Sequence, residues 1–229
     1  MDLYGRWGEG ARAALKRLEE MVYPEGALCR CCGVVTDGSA LCPRCRETLQ
    51  SDGFFLAWER EVLEDGQTVA WSLRPHGGVA RELVIRLKYH AEACAAEELA
   101  ALMRPIPEEA AFPPETVVTW VTMPWRRKRE RCIDHGRTLA EAVARELGLP
   151  CRQLLTRTDQ DSGRQVQLSG AERVKNLRHA FLPKEEMDFP VLLVDDVRTT
   201  GTTALRCAEA LREGGATEVQ VLTITRRIE

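Results

Sequence analysis

The sequence predicts an α/β protein with a mostly parallel sheet, preceded by a small metal-binding module. Three observations support this prediction. Four of the nine cysteines fall within one short segment, Cys29 to Cys45. The second half of the chain alternates β-branched apolar runs with helical segments, an order typical of parallel strands joined by helices. One of these apolar runs is followed by two aspartates and then by threonines and a glycine.

Composition restricts the possible classes of protein. The chain has 229 residues, of which 44% are hydrophobic, so it can bury a core, as one medium domain with an appendage or as two small domains. Its net charge of −3 means that any basic surface must be local. The longest apolar runs are too short to span a bilayer, and the N-terminus has no signal-peptide pattern. Nine cysteines without a secretion signal argue against a disulfide framework, so we expect a cytoplasmic protein without membrane insertion.

The four-cysteine segment has the spacing of a structural zinc site. Two residues separate the cysteines of each pair, which lets both thiolates face one ion, and the intervening glycines suit a turn that brings the pairs together. Four protein ligands leave no position for water or substrate, so the predicted zinc is structural. The alternative is a set of reduced, buried cysteines without metal. The predicted ligands are Cys29, Cys32, Cys42 and Cys45, with Cys31 as a bystander.

The remaining elements follow from hydrophobic periodicity. An amphipathic helix is predicted over residues 11–22, and residues 46–70 show no clear motif. Residues 78–103 are predicted to be rich in helix, ending before the prolines at 105 and 107. We divide the chain into an N-terminal helix (1–23), a zinc-binding module (24–50) and an α/β domain (51–229). Within that domain the predicted strands are 116–121, 191–194 and 219–224, and the predicted helices are 138–147 and 203–213.

The segment that follows the strand 191–194 is the most informative one. Asp195 and Asp196 come directly after the strand, where ligands bind in open α/β sheets. The following turn could bind one phosphate group through consecutive backbone N–H groups, threonine hydroxyls and the start of a helix. Gly201 lets the backbone approach that phosphate closely. The Walker lysine and the dinucleotide glycine spacing are both missing. The pattern therefore indicates a ligand with a monophosphate and vicinal hydroxyls.

This segment resembles the phosphoribosyl pyrophosphate (PRPP) signature of type I phosphoribosyltransferases, and the chain as a whole resembles the ComF family of competence-associated proteins. The order of blocks is similar: cysteine pairs, Leu87-Lys88-Tyr89, an arginine-rich loop, a polar segment over 157–176 and the signature. The family usually has Arg-Gly-aromatic-Asn-Gln where this chain has Arg131-Cys132-Ile133-Asp134-His135. The resemblance implies the type I phosphoribosyltransferase fold. It also implies that Asp195 and Asp196 hold the ribose hydroxyls as the catalytic acids, and that the 5′-phosphate lies on Thr199, Thr200, Gly201, Thr202 and Thr203.

Phosphoribosyl transfer also needs cations around the departing pyrophosphate, which implies Mg²⁺ and basic side chains. Residues 125–131 contain five basic residues, and this run is expected to contact either pyrophosphate or nucleic acid phosphates. A mobile loop is expected over 156–180. His135 and His179 are expected to be neutral polar or capping residues. The basic residues that match the family and would face the ligand are Lys88, Arg131, Arg157 and Arg173.

Two classes of function remain open at this point. The first is a PRPP- and Mg²⁺-binding protein that transfers phosphoribose to an unidentified acceptor, with a role in DNA uptake implied by the ComF resemblance. The second is a non-catalytic adaptor of natural transformation that senses PRPP or binds single-stranded DNA. In the second case the cysteine module and the basic run 126–131 would be interaction surfaces with the DNA-uptake machinery.

Overall fold

The structure is a computed structural model. It describes residues 27–29, 31–39, 41–51, 58–73, 78–89, 94–101, 103, 109–110, 112–124, 133–158 and 180–226. Several predictions lie outside these residues, namely the helix over 11–22, the basic run 126–131 and most of the loop over 156–180.

Five helices and seven strands occur in the described residues. The helices are α1 (Pro43–Ser51), α2 (Gly78–Tyr89), α3 (Cys94–Ala101), α4 (His135–Leu147) and α5 (Thr202–Glu213). The strands are β1 (Trp58–Val62), β2 (Val69–Leu73), β3 (Val117–Trp120), β4 (Leu155–Arg157), β5 (Phe181–Pro183), β6 (Val191–Arg198) and β7 (Val219–Arg226).

The main sheet has the strand order β1-β2-β7-β6-β3, and every neighbouring pair except β1–β2 is parallel. Parallel pairing of β6 and β7 around α5 confirms the strand–helix–strand prediction for the C-terminal segment. The antiparallel hairpin β1–β2 lies within the residues that show no motif in the sequence. Its strand Trp58–Val62 carries three consecutive charged residues at the edge of the sheet, so no continuous apolar run marks it.

Two apolar layers cover the faces of this sheet. On one face, α2, α3 and α4 bury a core around Leu83, Leu99 and Leu139. On the other face, α5 and the two-stranded sheet β4–β5 bury a second core around Leu155 and Leu211. This three-layer arrangement is expected for a parallel sheet, whose strands need cover on both faces.

The helix α4 begins three residues earlier than predicted because of its cap. Asp134 precedes the helix, and its carboxylate accepts a hydrogen bond from the Arg137 backbone N–H, which satisfies one of the free donors of the first turn. Gly148 ends the helix with φ +68°, a left-handed conformation that glycine adopts without strain. His135 is therefore the first residue of the helix and not its cap.

In the described part of the chain, every helix is too short or too polar to cross a lipid bilayer.

Candidate functional site

Strand β6 places the two aspartates beyond the end of its neighbour β3. The pairing of β3 with β6 ends at Trp120 and Val194, whereas the pairing of β6 with β7 continues to Arg198. The strand is thus four residues longer than the predicted 191–194, and the acids lie inside it and not after it. Because successive side chains of a strand point to opposite faces, Asp195 and Asp196 face different layers of the protein.

Asp196 lies on the face covered by α2 and α4, and both helices send a basic side chain to it. Its Oδ1 is 2.8 Å from Lys88 Nζ, at the end of α2. Its Oδ2 is 3.2 Å from His135 Nε2, at the start of α4. All three side chains are largely buried, with exposed fractions of 6% for Asp196, 20% for Lys88 and 13% for His135. The structure thus brings together one acid and two bases from three separate segments of the chain.

The environments of the two acids shift their pKa values in opposite directions. Burial raises the pKa of Asp195 to about 7, and the neighbouring Asp196 carboxylate adds to this effect. Burial acts in the same direction on Asp196, but His135 and Lys88 outweigh it, so that the pKa of Asp196 is lowered. When the pKa values of two neighbouring acids differ in this way, the two can take different roles. One stays ionised, and the other can exchange a proton near neutral pH.

Asp195 faces the layer formed by α5. Its Oδ1 accepts a hydrogen bond of 2.9 Å from the Asp196 backbone N–H, which fixes the carboxylate against its own strand. Cys207 of α5 is fully buried close to this acid; burial, followed by the Asp195 charge, raises its thiol pKa well above the usual value. Cys207 is thus an inert packing residue.

The predicted phosphate loop connects β6 directly to the start of α5. Thr199, Thr200, Thr202 and Thr203 are exposed, whereas Gly201 is buried and has φ +79°. Its positive φ favours glycine, and a Cβ atom there would make an ordinary contact of 3.4 Å with Leu63 of the β1–β2 turn. Gly201 has no side chain to cap α5, and the Thr202 backbone N–H donates to the Thr200 hydroxyl at 3.5 Å. The N–H groups that follow in the first turn are available to an anion.

Arg198 connects this loop to the edge hairpin of the sheet. It was not identified as a site residue from the sequence. Its guanidinium is buried, donates to Glu61 Oε2 at 2.9 Å, and donates to the Ser72 hydroxyl at 3.3 Å. Glu61 is also 2.9 Å from Arg226. The strand end that carries the loop is therefore bonded to the edge hairpin. In the sequence, an arginine within a polar motif is expected to lie at the surface. No local pattern therefore indicates that Arg198 binds the edge hairpin.

Of the other predicted basic residues, two are described by the structure. Lys88 lies in the site, although from the sequence alone it reads as a lysine at the end of a helix. Arg157 ends β4, and its guanidinium stacks on the Phe181 ring at 5.2 Å from the ring centre. Arg131 and Arg173 lie outside the described residues.

The four predicted zinc ligands form a separate cluster. The sulfur atoms of Cys29, Cys32, Cys42 and Cys45 all lie within 4.8 Å of one another. Cys32 Sγ and Cys42 Sγ are 3.7 Å apart, which agrees with the separation of about 3.8 Å expected for thiolates at tetrahedral Zn–S distances of about 2.3 Å. The donor set and its dimensions therefore fit a tetrahedral metal ion.

Local backbone structure positions these sulfurs. The first pair lies in a short hairpin in which the Gly33 N–H donates to the Cys29 carbonyl and Gly33 has φ +74°. The second pair lies at the start of α1, where the Cys45 N–H donates to Cys42 Sγ. Burial acts to raise the pKa of Cys29, but hydrogen bonds from the backbone of residues 42, 32 and 31 outweigh it and lower the pKa to about 6. Such N–H donors stabilise the thiolate form that binds metal.

The cysteine cluster shares its core with the α/β domain. Cys29, Leu41, Cys42 and Cys45 are buried in the same apolar cluster as α2 and α3, and Arg46 of α1 lies 3.5 Å from Glu98 of α3. Cys31 packs against this core beside the cluster. The module is therefore attached to the helical layer that also holds Lys88.

Comparison with known proteins identifies the domain. Residues 132–229 match the family model of the phosphoribosyl transferase domain. Competence protein F of Haemophilus influenzae is 32% identical over 117 residues, which are 49% of this chain and 51% of that protein. The DNA utilization protein YhgH of Salmonella typhi is 28% identical over 221 residues, which are 88% of this chain and 85% of that protein. The chain thus spans about half the length of the Haemophilus relative.

Solved structures similar to this fold include a PRPP amidotransferase and a phosphoribosyltransferase. The glutamine PRPP amidotransferase of B. subtilis is 24% identical, with coverage of 66% of this chain and 28% of that chain and a TM-score of 0.38. The orotate phosphoribosyltransferase of Aeropyrum pernix is 21% identical, with coverage of 80% and 81% and a TM-score of 0.36.

The domain match, the parallel sheet and the acid pair joined to a threonine–glycine loop define a type I phosphoribosyltransferase fold. This confirms the fold class expected from the sequence. With its N-terminal cluster of four cysteines, the chain carries a phosphoribosyl transferase domain and is similar to the competence protein and the DNA utilization protein described above.

Proposed function

We propose that the protein binds PRPP in the crevice beyond the end of β3. The observation that carries this proposal is the direct connection of the acid pair, through Arg198, to an exposed threonine loop at the uncapped start of α5. In the proposed complex Asp195 and Asp196 accept hydrogen bonds from the ribose hydroxyls. The residues Thr199, Thr200, Gly201, Thr202 and Thr203 hold the 5′-phosphate.

The geometry of the loop supports a phosphate ligand. The Thr200 and Thr202 hydroxyls are 3.0 Å apart on the exposed side, and the free backbone N–H groups of the first helical turn lie beside them. Hydroxyls, N–H donors and the positive end of a helix dipole together suit a single dianionic group. Gly201 brings the backbone close to that group because it has no side chain.

We propose that Mg²⁺ reaches this site as a complex with PRPP and not as an ion held by the protein. Asp196 is already paired with Lys88 and His135, and Asp195 is a half-buried acid with a raised pKa whose Oδ1 accepts from the Asp196 N–H, so neither offers an open carboxylate to a bare ion. Magnesium commonly binds through substrate phosphates with few protein ligands. When bound, it would neutralise charge on the pyrophosphate.

We propose that pyrophosphate contacts come from Lys88, Arg131, Arg157 and Arg173. Lys88 retains 20% exposure beside Asp196 and is the described cation nearest to the acid pair. Arg157 lies at the strand end from which the polar segment toward β5 begins. Arg131 and Arg173 are proposed from the family resemblance alone.

We further propose that the protein transfers phosphoribose to an acceptor that is not identified, and that it acts in DNA uptake. The names of the relatives, a competence protein and a DNA utilization protein, support the second part. The four-cysteine cluster is proposed to hold structural Zn²⁺, because its donors and dimensions fit that ion. A site of four thiolates needs reduced cysteines, so we propose the cytoplasm as its compartment.

A non-catalytic adaptor that senses PRPP or binds single-stranded DNA is the alternative. The run 126–131, with its five basic residues, favours contact with nucleic acid phosphates. The two functions differ in one measurement. If the protein binds PRPP but releases no pyrophosphate with any amine or base offered, the transferase proposal fails and the sensing proposal stands.

Calorimetric titration with PRPP and Mg²⁺ tests the site itself. The double variant Asp195→Asn with Asp196→Asn should lose most binding, by about 100-fold or more, because the hydroxyl acceptors are replaced by neutral amides. The matched control is Glu186→Gln with Asp188→Asn, which removes the same charge from exposed positions before β6. Equal affinity of the acid-pair variant and the control would show that the site is wrongly assigned.

A further inference from the structure

His135 is the only described residue that contacts Asp196 Oδ2 as an ion pair. The other carboxylate oxygen, Oδ1, is held by Lys88 at 2.8 Å. The contact of 3.2 Å from His135 Nε2 to Oδ2 is an ion pair without the alignment of a full hydrogen bond. The two bases therefore contact different oxygens and together fix the plane of the carboxylate.

This arrangement leaves hydrogen-bonding capacity on Asp196. A carboxylate has about four acceptor positions, and Oδ2 is buried without a well-directed donor among the described residues. Buried acceptors in folded proteins are usually paired, so Oδ2 has room to accept a further hydrogen bond. A ribose hydroxyl of the proposed ligand would donate that hydrogen bond while His135 stays beside it.

The charges around His135 come from each element packed against α4. The neighbouring strand β3 contributes only Val, Thr and Trp side chains over Val117–Trp120. From α3, Glu97 faces the far end of α4, where it pairs with Arg145. Among the described residues, the charged groups near His135 include Lys88 on α2, Asp196 on β6, and Asp134 and Arg137 at the start of α4 itself.

We propose that His135 is a positioning residue that orients Asp196 toward the ribose hydroxyls. This inference rests on the proposed PRPP site. Lys88 holds Oδ1 and His135 Nε2 lies 3.2 Å from Oδ2, so loss of the imidazole leaves the carboxylate held through one oxygen only. A carboxylate held by this single contact binds the ribose hydroxyls more weakly, because its orientation must then be fixed on binding.

The test compares the affinity for PRPP with Mg²⁺ of the wild type, His135→Gln and His135→Ala in calorimetric titrations under one set of conditions. Glutamine keeps an N–H donor beside Asp196, whereas alanine removes it. We expect His135→Ala to bind PRPP about three- to tenfold more weakly than the wild type, and His135→Gln to stay within about twofold of it.

A further variant separates positioning from a general effect of the helix. Arg145→Gln, at the exposed far end of α4, should leave the affinity unchanged.

The possible failures are distinguishable. Absence of PRPP binding to the wild type would overturn the proposed function and this inference with it. Binding by the wild type with equal affinity of His135→Ala, or with equal losses in His135→Ala and His135→Gln, would overturn the inference about His135 and leave the PRPP site standing.

Discussion

The cysteine cluster and the acid-pair site are assembled in opposite ways. All four cysteines come from one segment, and short hairpin and helix starts place their sulfurs. Asp196 instead receives Lys88 from α2 and His135 from α4, two segments that are distant from it in the sequence. Regular spacing is enough to reveal the first site, whereas the second exists only once three elements pack together.

The largest expected effect tests whether the cysteine site is a local unit. Cys32→Ser should remove the zinc and lower the free energy of unfolding by about 4–5 kcal/mol or more, because a structural metal contributes directly to folding. Cys32 is exposed, so the loss would report on metal binding and not on core packing. Metal analysis and denaturant unfolding measure the two effects.

Cys31→Ser is the matched control, since it replaces the adjacent cysteine and should keep about one zinc per chain. Hydrogen exchange should increase most in residues 27–51 of Cys32→Ser and least in β6 and α5. Full zinc content in Cys32→Ser, or an equal increase of exchange in all of these segments, would contradict a local site.

The second prediction concerns the tertiary contacts of the phosphate loop. Arg198→Met should lower the free energy of unfolding by about 2–4 kcal/mol, because it leaves the Glu61 carboxylate without its buried partner. Arg226 remains 2.9 Å from Glu61 and moderates the loss. Arg145→Met, which breaks an exposed ion pair, should change stability by less than about 0.5 kcal/mol. Equal urea midpoints for the two variants would show that Arg198 does not anchor the loop.

The third prediction follows from the raised pKa of Asp195. The folded protein holds a proton on this carboxyl up to about pH 7, whereas the unfolded chain releases it near the ordinary value of 3.8. Stability contributed by this group therefore falls as the pH rises from about 4 to 7 and is constant above that. Asp195→Asn should remove this slope and raise the free energy of unfolding at pH 8 by about 1–3 kcal/mol.

Urea unfolding of the wild type and of Asp195→Asn between pH 4 and pH 8 measures this slope. Asp195→Asn should also weaken PRPP binding. A carboxyl that lowers the stability of the fold at neutral pH is expected to be present because the ligand needs it. A variant that is less stable than the wild type at pH 8 would refute the burial argument.

The smallest expected effect separates backbone conformation from ligand contact. Gly201→Ala and Gly66→Ala should each lower the free energy of unfolding by about 1 kcal/mol, because both glycines have positive φ. Gly66 lies in the β1–β2 turn, where an added Cβ meets no atom within 4 Å. Only Gly201→Ala should also weaken PRPP binding in a calorimetric titration. Equal binding by both variants would argue against a phosphate at the loop.

Hydrophobic periodicity was sufficient to predict the strands and helices of the C-terminal segment. The alternation of Val191–Val194, α5 and Val219–Ile224 leads to parallel pairing, which the structure confirms. The predicted end of β6 was wrong, because charged residues mark a strand end in the sequence while pairing with β7 carries the strand on to Arg198. The hairpin β1–β2 was missed for a related reason, since polar edge strands have no continuous apolar run.

The cysteine set and the threonine–glycine loop could be predicted from the sequence, because both are local arrangements in which the spacing of residues fixes which atoms can meet. The contacts of His135 and Arg198 could not, because in the sequence each is an ordinary polar residue at a helix start or a strand end. Lys88 was expected at the ligand from the family resemblance alone, and its pairing with Asp196 depends on the tertiary structure. The significance of these three residues depends on burial next to a carboxylate, where low solvent access strengthens charge interactions between segments that no local pattern connects.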